Sequence, residues 1–213
     1  MKILFEEYNA KWPSDFLDQQ RAIIKALGNL YLTVDHIGST SIVGLGAKPV
    51  IDILVGLKDE SFLDKVIHPM TLCGYTYFKK YEPDMPYRRL FVKLKPLTNL
   101  PLPKIIDINE EYLSGKDFIS LTQIHIIVKD THHWTRHIAF RDFLRTHPEI
   151  RDKYYKLKYS LSQQEFTHHL EYNTAKNDFV KETEQLALKW FQNMDKNLIS
   201  SIRGNSFNKK FDN

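Results

Sequence analysis

The chain has 213 residues, 42% of them apolar and 26% charged, with 30 Lys+Arg against 26 Asp+Glu and one cysteine. That length supports one large domain with a proper core and excludes a disordered or fibrous chain. The single cysteine, Cys73, excludes an internal disulfide framework and a Cys-based zinc site. It fits a reducing compartment. The opening residues, Met1 to Glu7, carry no apolar run long enough for a signal peptide. No stretch approaches ~18 uninterrupted apolar residues, so no membrane span is expected and the expected location is the cytoplasm.

Charge is unevenly spread. Residues 1–133 hold 16 basic and 16 acidic groups, yet the window 79–95 inside them holds six basic groups and two acidic ones. Those six are Lys79, Lys80, Arg88, Arg89, Lys93 and Lys95.

In chain order, a first helix is expected from about Ser14 to Leu27, with Ser14 as N-cap and Gly28 just past the end. Phe16, Gln20, Ile23, Ile24 and Leu27 fall on one of its faces. Tyr31 to Ile37 reads as a strand, broken by Gly38-Ser39-Thr40-Ser41. Val50 to Val55 is a second strand, apolar on both faces except at Asp52, and so central in its sheet. Ser61 to Cys73 fits a helix ended by Gly74. Tyr75–Tyr81 and Tyr87–Leu94 read as an antiparallel pair around a turn with Pro83, Asp84 and Pro86. Residues 96–117 carry three prolines and read as loop, with a short extra strand at Ile105–Ile108. Thr122 to Val128 is a clearer strand. From about His133 the period becomes helical, with a bend before Pro148. Ser162-Gln163-Gln164-Glu165 resembles a capping box opening a last helix. The expected architecture is one α+β domain over residues 1–194, helical from about 131 to 194, followed by a flexible tail over 195–213.

The informative run is His36 to Val55. A strand ending in Gly38-Ser39-Thr40 presents backbone N–H groups and hydroxyls that can receive phosphate oxygens. Asp52, between apolar neighbours, needs a metal, a basic side chain or backbone donors, and Lys48 is one such partner. Arg88 or Arg89 can clamp phosphate in a bidentate way. Arg141 and Arg145 share a helix face, as do Tyr172 and Lys176. His36 and His125 sit on strands and would join Asp52 in a His/Asp metal site if all three met. His133 and His137 have i, i+4 spacing but read as surface residues, and Cys73 as a small buried one.

The stretch HIGSTSIVGLGAKPVIDILV resembles the signature of the GrpB-like family of bacterial proteins. The likeness extends over most of residues 8–192, including Tyr8, Trp12, Arg88-Arg89, the strand around His125, the block Ala139–Arg145, and Tyr172 with Lys176. It implies a nucleotidyltransferase-like, polymerase-β-like sheet core. In that superfamily Gly-Ser precedes a strand bearing two carboxylates one residue apart, and a third acid lies on a later strand. Gly38 and Ser39 match the first element and Asp52 the first carboxylate. Leu54 occupies the place of the second, and the third falls near His125. Where the family often has two histidines flanking one residue, this chain has Gln123 and His125. Asp107, in its own apolar setting, is a candidate for a replacement carboxylate. Some relatives are fused to dephospho-coenzyme A kinase.

The resemblance implies binding of a nucleotide or phosphorylated metabolite, with metal-dependent nucleotidyl transfer as the associated chemistry. Gly38, Ser39, Thr40, Lys48, Arg88 and Arg89 would hold phosphates of a nucleoside triphosphate. Asp52 would hold Mg²⁺ or Mn²⁺ and act with His125 in catalysis. Two alternatives stand beside it. One is a binding module that lost the chemistry with the carboxylate that Leu54 replaces. The other is RNA binding through the 79–95 patch and the basic tail, which the small and local charge makes the less favoured partner.

Overall fold

The computed structural model describes residues 3–110, 112, 116–167 and 169–207. Helix α1 (Trp12–Leu27) buries Trp12, Ile23 and Leu27. It starts two residues before the expected Ser14. Pro13 fits the first turn, where no backbone N–H is needed, and Ser14 Oγ donates to Lys11 O at 2.7 Å instead of capping. Strand β1 (Tyr31–Ile37) lies as expected and pairs antiparallel with β2 (Ile51–Leu57). Between β2 and the next strand the sequence suggests one helix over Ser61–Cys73. The structure has a 3₁₀ turn at Glu60–Phe62 and a regular helix, α2, only over Ile67–Leu72. Pro69 explains this, since its ring would clash with the carbonyl four residues earlier in a continuous helix.

Strands β3 (Thr76–Phe78) and β4 (Arg88–Pro96) form the expected antiparallel pair. The short strand β5 (Ile105–Ile106) runs parallel to β3. β6 (Phe118–Val128) begins earlier than expected and runs parallel to β2 and antiparallel to β4. The six strands make one mixed sheet in the order β1-β2-β6-β4-β3-β5. β2 is therefore internal, as its apolar composition indicates.

The side-chain alternation of β2 sorts the two faces. Ile51, Ile53 and Val55 join Ile23, Leu27, Met70, Phe91, Ile124 and Ile126 in the main core under α1 and α2. Asp52 and Leu54 point the other way. Leu54 packs with Ile37, Ile127 and Ile138 beneath α3 (His132–Thr146). α4 (Pro148–Ser162) follows the bend at Pro148, and its Tyr154 packs with Ile42, Leu45 and Leu144. The Ser162–Glu165 stretch does not open a helix. Ser162 Oγ donates to Tyr159 O at 2.7 Å and closes α4. Helices α5 (His169–Ala175) and α6 (Asn177–Phe207) complete the chain, with Ala187 of α6 against Ala139 and Phe143 of α3. α6 thus continues as helix into the stretch assigned to a tail, and residues 208–213 lie outside the described residues. No helix among the described residues is long and apolar enough to cross a membrane.

Leu54 is fully buried on an internal strand. Leu54→Ala is expected to lower unfolding free energy by about 2–5 kcal/mol, from lost burial plus the cavity left behind. Urea denaturation measures it, and a loss below about 1 kcal/mol would contradict the packing described.

Candidate functional site

β1 ends at Gly38, whose φ of 67° lies in the left-handed region, and Ser39–Ser41 then make one 3₁₀ turn. A Cβ at position 38 would overlap Asp52 Oδ2, so this glycine leaves the space that the Asp52 carboxylate fills. The turn is held from both sides. Ser41 Oγ donates to Gly38 O at 2.7 Å. From α3, Arg145 donates to Ser41 O at 2.8 Å and Arg141 to His36 O at 3.2 Å. Thr40 is buried, with its hydroxyl 3.0 Å from His36 Nε2.

Below the turn a cavity of about 600 Å³ opens across the sheet. At its β2 end stand Ser39, Lys48, Asp52, Lys158 and Lys176, and at its β3 end Phe78, Lys80, Tyr81 and Tyr112. The two ends are three strands apart in the sheet order, about 14 Å at the usual strand spacing. Phe78 stacks parallel to Tyr81 at 6.1 Å and meets Tyr112 edge-on at 4.9 Å.

Desolvation and charge compete at Asp52. Burial pushes its carboxyl up to about 6, against the pull of Lys176, Lys48 and Lys158, so desolvation wins. Burial also lowers the three lysines. Lys158 falls to about 7, with Lys176 adding to the effect and Asp52 opposing it. Lys176 and Lys48 are lowered by burial and partly restored by Asp52. None of the three forms an ion pair with a carboxylate among the described residues. Lys158 Nζ donates to Gly46 O at 2.6 Å, and Lys176 Nζ sits 4.8 Å from the Tyr172 ring centroid.

The structure thus brings together Gly38, Ser39, Thr40, Lys48 and Asp52, and adds Tyr172 and Lys176 as expected. It does not bring the other expected residues to them. Asp52 pairs across the sheet with Gln123, while His125 pairs with Leu54 two register pairs away. His125 Nδ1 accepts from Arg88 Nη1 at 3.1 Å, and its ring lies 5.6 Å from that of His137. Burial, then Arg88 and His137, hold His125 well below the usual imidazole range. Arg89 is on the opposite face, where it donates to Asp64 Oδ1 at 2.7 and 3.0 Å. The expectation that Arg88 and Arg89 clamp phosphate beside Ser39 is therefore corrected: strand alternation sends one to each face, and neither lines the cavity. Lys79 pairs with Asp107 at 3.2 Å, so Asp107 is no replacement carboxylate for the site. His36 stacks on Phe16 at 4.7 Å on the far face and does not meet Asp52. His137 is half-buried rather than a surface residue, and that burial, with Arg136, Arg88 and His133 adding to it, lowers its imidazole to about 3. Cys73 is exposed.

The donor set does not fit the two-metal clamp. Among the described residues Asp52 is the one carboxylate in the cavity lining, and its charged neighbours are ammonium groups, which repel a dication. No group of three His, Cys, Asp or Glu residues gathers among the described residues. Sequence reasoning missed Lys158 and the aromatic end. The available signal was a lysine on the inward stripe of α4, spaced i+4 from Tyr154 and i−3 from Leu161.

Fold and cavity define a mixed α+β domain with a lysine-lined cavity on one face of its sheet. The family follows from comparison: the GrpB protein family model matches residues 2–186, so the chain belongs to the GrpB family. A UPF0157 protein of Halalkalibacterium halodurans is 34% identical over 176 residues, covering 83% of this chain and 77% of that protein. The crystal structure of a conserved protein GrpB from Enterococcus faecalis superposes with a TM-score of 0.71 at 29% identity, over 89% of this chain and 99% of that one. A dephospho-CoA kinase of Mycolicibacterium paratuberculosis is 25% identical over 185 residues, which is 84% of this chain but 44% of that protein.

Two outcomes test the geometry. Gly38→Ala is expected to cost at least about 1–2 kcal/mol, because alanine is strained at this φ and overlaps Asp52. Stability unchanged by that substitution would contradict the close approach. By carboxyl NMR, Asp52 is expected to titrate near 6 and to move higher in Lys176→Met, since Lys176 pulls it down. A midpoint in the ordinary carboxylate range would contradict the burial.

Proposed function

We propose that this chain binds a nucleotide or a related phosphorylated metabolite in the sheet cavity. The observation that carries the proposal is the charge imbalance at the β2 end. Lys48, Lys158 and Lys176 surround one carboxylate, and none forms an ion pair with a carboxylate among the described residues. Lys158 is buried and Lys48 and Lys176 are half-buried, and ammonium groups desolvated in that way are costly alone. A phosphate dianion supplies the missing charge and accepts several hydrogen bonds, each charge-assisted one contributing roughly 1.5–3 kcal/mol. Ser39 offers a hydroxyl at the same end.

The aromatic end favours a ligand with a ring. Phe78, Tyr81 and Tyr112 form a three-ring cluster about 14 Å from Asp52 by strand count. A nucleotide spans such a distance, with its base against the rings.

On this reading the sheet and its Gly38-Ser39 turn are a nucleotidyltransferase-like core that keeps the phosphate cradle. Metal-dependent nucleotidyl transfer is not part of the proposal. Leu54 and His125 stand where the clamp would need acids, Leu54 is sealed in apolar packing, and the charged neighbours of Asp52 are lysines. Binding without that chemistry is the better-supported alternative. RNA binding through the 79–95 window is the less favoured reading, because Arg89 and Lys79 are engaged in ion pairs and Arg88 is turned toward His125.

Nucleoside di- and triphosphates are expected to raise the melting temperature, and the stabilisation should disappear in a Lys48→Ala/Lys176→Ala double variant. Absence of stabilisation by any phosphate compound in the wild-type chain would reject the proposal. Affinity is also expected to fall as pH rises from 7 to 9. The bound phosphate, already dianionic there, favours protonated Lys158, so binding takes up a proton that becomes scarcer. Calorimetry in two buffers of different ionisation heat measures this uptake. A flat affinity profile with no proton uptake would show that Lys158 does not face the ligand.

A further inference from the structure

We propose that Lys158 is a nucleophilic amine of the cavity and forms an imine with an aldehyde or ketone group of a phosphate-bearing ligand. The inference rests on the reading of the cavity as a phosphate site, and it adds a reactive group to it.

The starting point is the position of Lys158 on α4. The inward stripe of that helix runs through Tyr154, Lys158 and Leu161, all buried. Lys158 is 2% exposed, yet it lines the cavity. An ammonium group in that position needs a carboxylate partner to stay charged cheaply. It has no such ion pair among the described residues. Its Nζ donates to the Gly46 carbonyl at 2.6 Å and lies 4.6 Å from the Tyr154 ring centroid. The charged groups that act on it are Lys176, which repels it, and Asp52, which Lys48 and Lys176 share. A lysine desolvated beside another cation is the usual setting of an imine-forming amine. Its fall to about 7 leaves a substantial neutral fraction at physiological pH.

A neutral amine keeps a lone pair. With one of its two hydrogens it still bonds to Gly46 O, which fixes the nitrogen at the cavity wall. Lys48 and Lys176 remain to hold the phosphate of the ligand. Asp52, pushed up to about 6, can carry a proton near neutrality.

The step balances without an oxidant or reductant. The Nζ lone pair adds to the carbonyl carbon, forming the C–N bond and moving the C=O π pair onto oxygen. One proton passes from nitrogen to that oxygen and gives a carbinolamine. The hydroxyl then leaves as water, with a proton delivered by the Asp52 carboxyl. The C=N double bond forms, and the remaining nitrogen proton returns to Asp52. The reverse sequence releases the ligand.

The probe is pyridoxal 5′-phosphate, which carries an aldehyde, a phosphate and an aromatic ring. The full chain is incubated with one equivalent, reduced with borohydride and mapped by peptide mass spectrometry. The expected result is one trapped adduct per chain, at Lys158, at least tenfold above any other lysine. Excess pyrophosphate should suppress it. Lys158→Arg should abolish it. Should Lys158→Arg fail to fold, the wild-type map alone decides. Label spread over exposed lysines, or an adduct at Lys158 no stronger than elsewhere, overturns the inference. If pyrophosphate still stabilises the wild-type chain in that case, only the imine chemistry falls. If it does not, the phosphate site falls with it.

Discussion

The site depends on the burial of one carboxylate among three lysines. Asp52 is the sole polar residue of an otherwise apolar run on β2, and it faces Lys48 from the loop before β2, Lys158 from α4 and Lys176 from the turn between α5 and α6. The field of the lysines alone would keep Asp52 strongly acidic. Burial overrides it and holds the carboxyl at about 6, while the same burial lowers all three lysines. Each group is therefore less charged than it would be in water, and an entering anion draws the lysines toward their charged form and Asp52 toward the neutral acid. The cavity is thus a region of frustrated charge that a phosphate relieves.

The rest of the fold keeps that arrangement in place. Gly38 admits the Asp52 carboxylate because it has no side chain. Arg141 and Arg145 on α3 pin the end of β1 and the turn after it through the carbonyls of His36 and Ser41. Arg141 also reaches Asp35 at 3.4 Å and Asp142 at 2.7 Å, so its own charge is paired. Leu54 and its apolar neighbours seal the sheet under α3 two register pairs beyond Asp52. These arginines act on the backbone and not on the cavity. The positive charge that faces a ligand comes from lysines, which adapt their protonation more readily than guanidinium groups.

Much of this was legible in the chain. β1, the β3–β4 pair, the short β5 and the break at Pro148 follow from alternation and from proline chemistry. Gly38, Ser39, Lys48 and Asp52 meet as the local motif indicates, because one tight turn and one strand pairing bring them together. What was not legible depended on strand parity and on long-range packing. Arg88 and Arg89 are adjacent, so β4 must send them to opposite faces, and only the pairing with β6 shows that neither face at that level is the cavity. His125 shares a face with Asp52 but is displaced by two register pairs, enough to place it with Arg88 and His137. Lys158 is separated from Asp52 by 106 positions in the chain and reaches it through α4, which no local pattern specifies. The helix expected at Ser162 failed because a serine hydroxyl that can cap a following helix can equally close the preceding one.

The most direct test is a crystal structure of the chain grown with a nucleoside diphosphate. The expected result is a phosphate group within hydrogen-bond distance of Lys48 and Lys176 beneath the Gly38–Ser41 turn, with the base against Phe78 and Tyr81. A diphosphate bound instead beside Arg88 and His125, with the lysine cavity left to solvent, would contradict it.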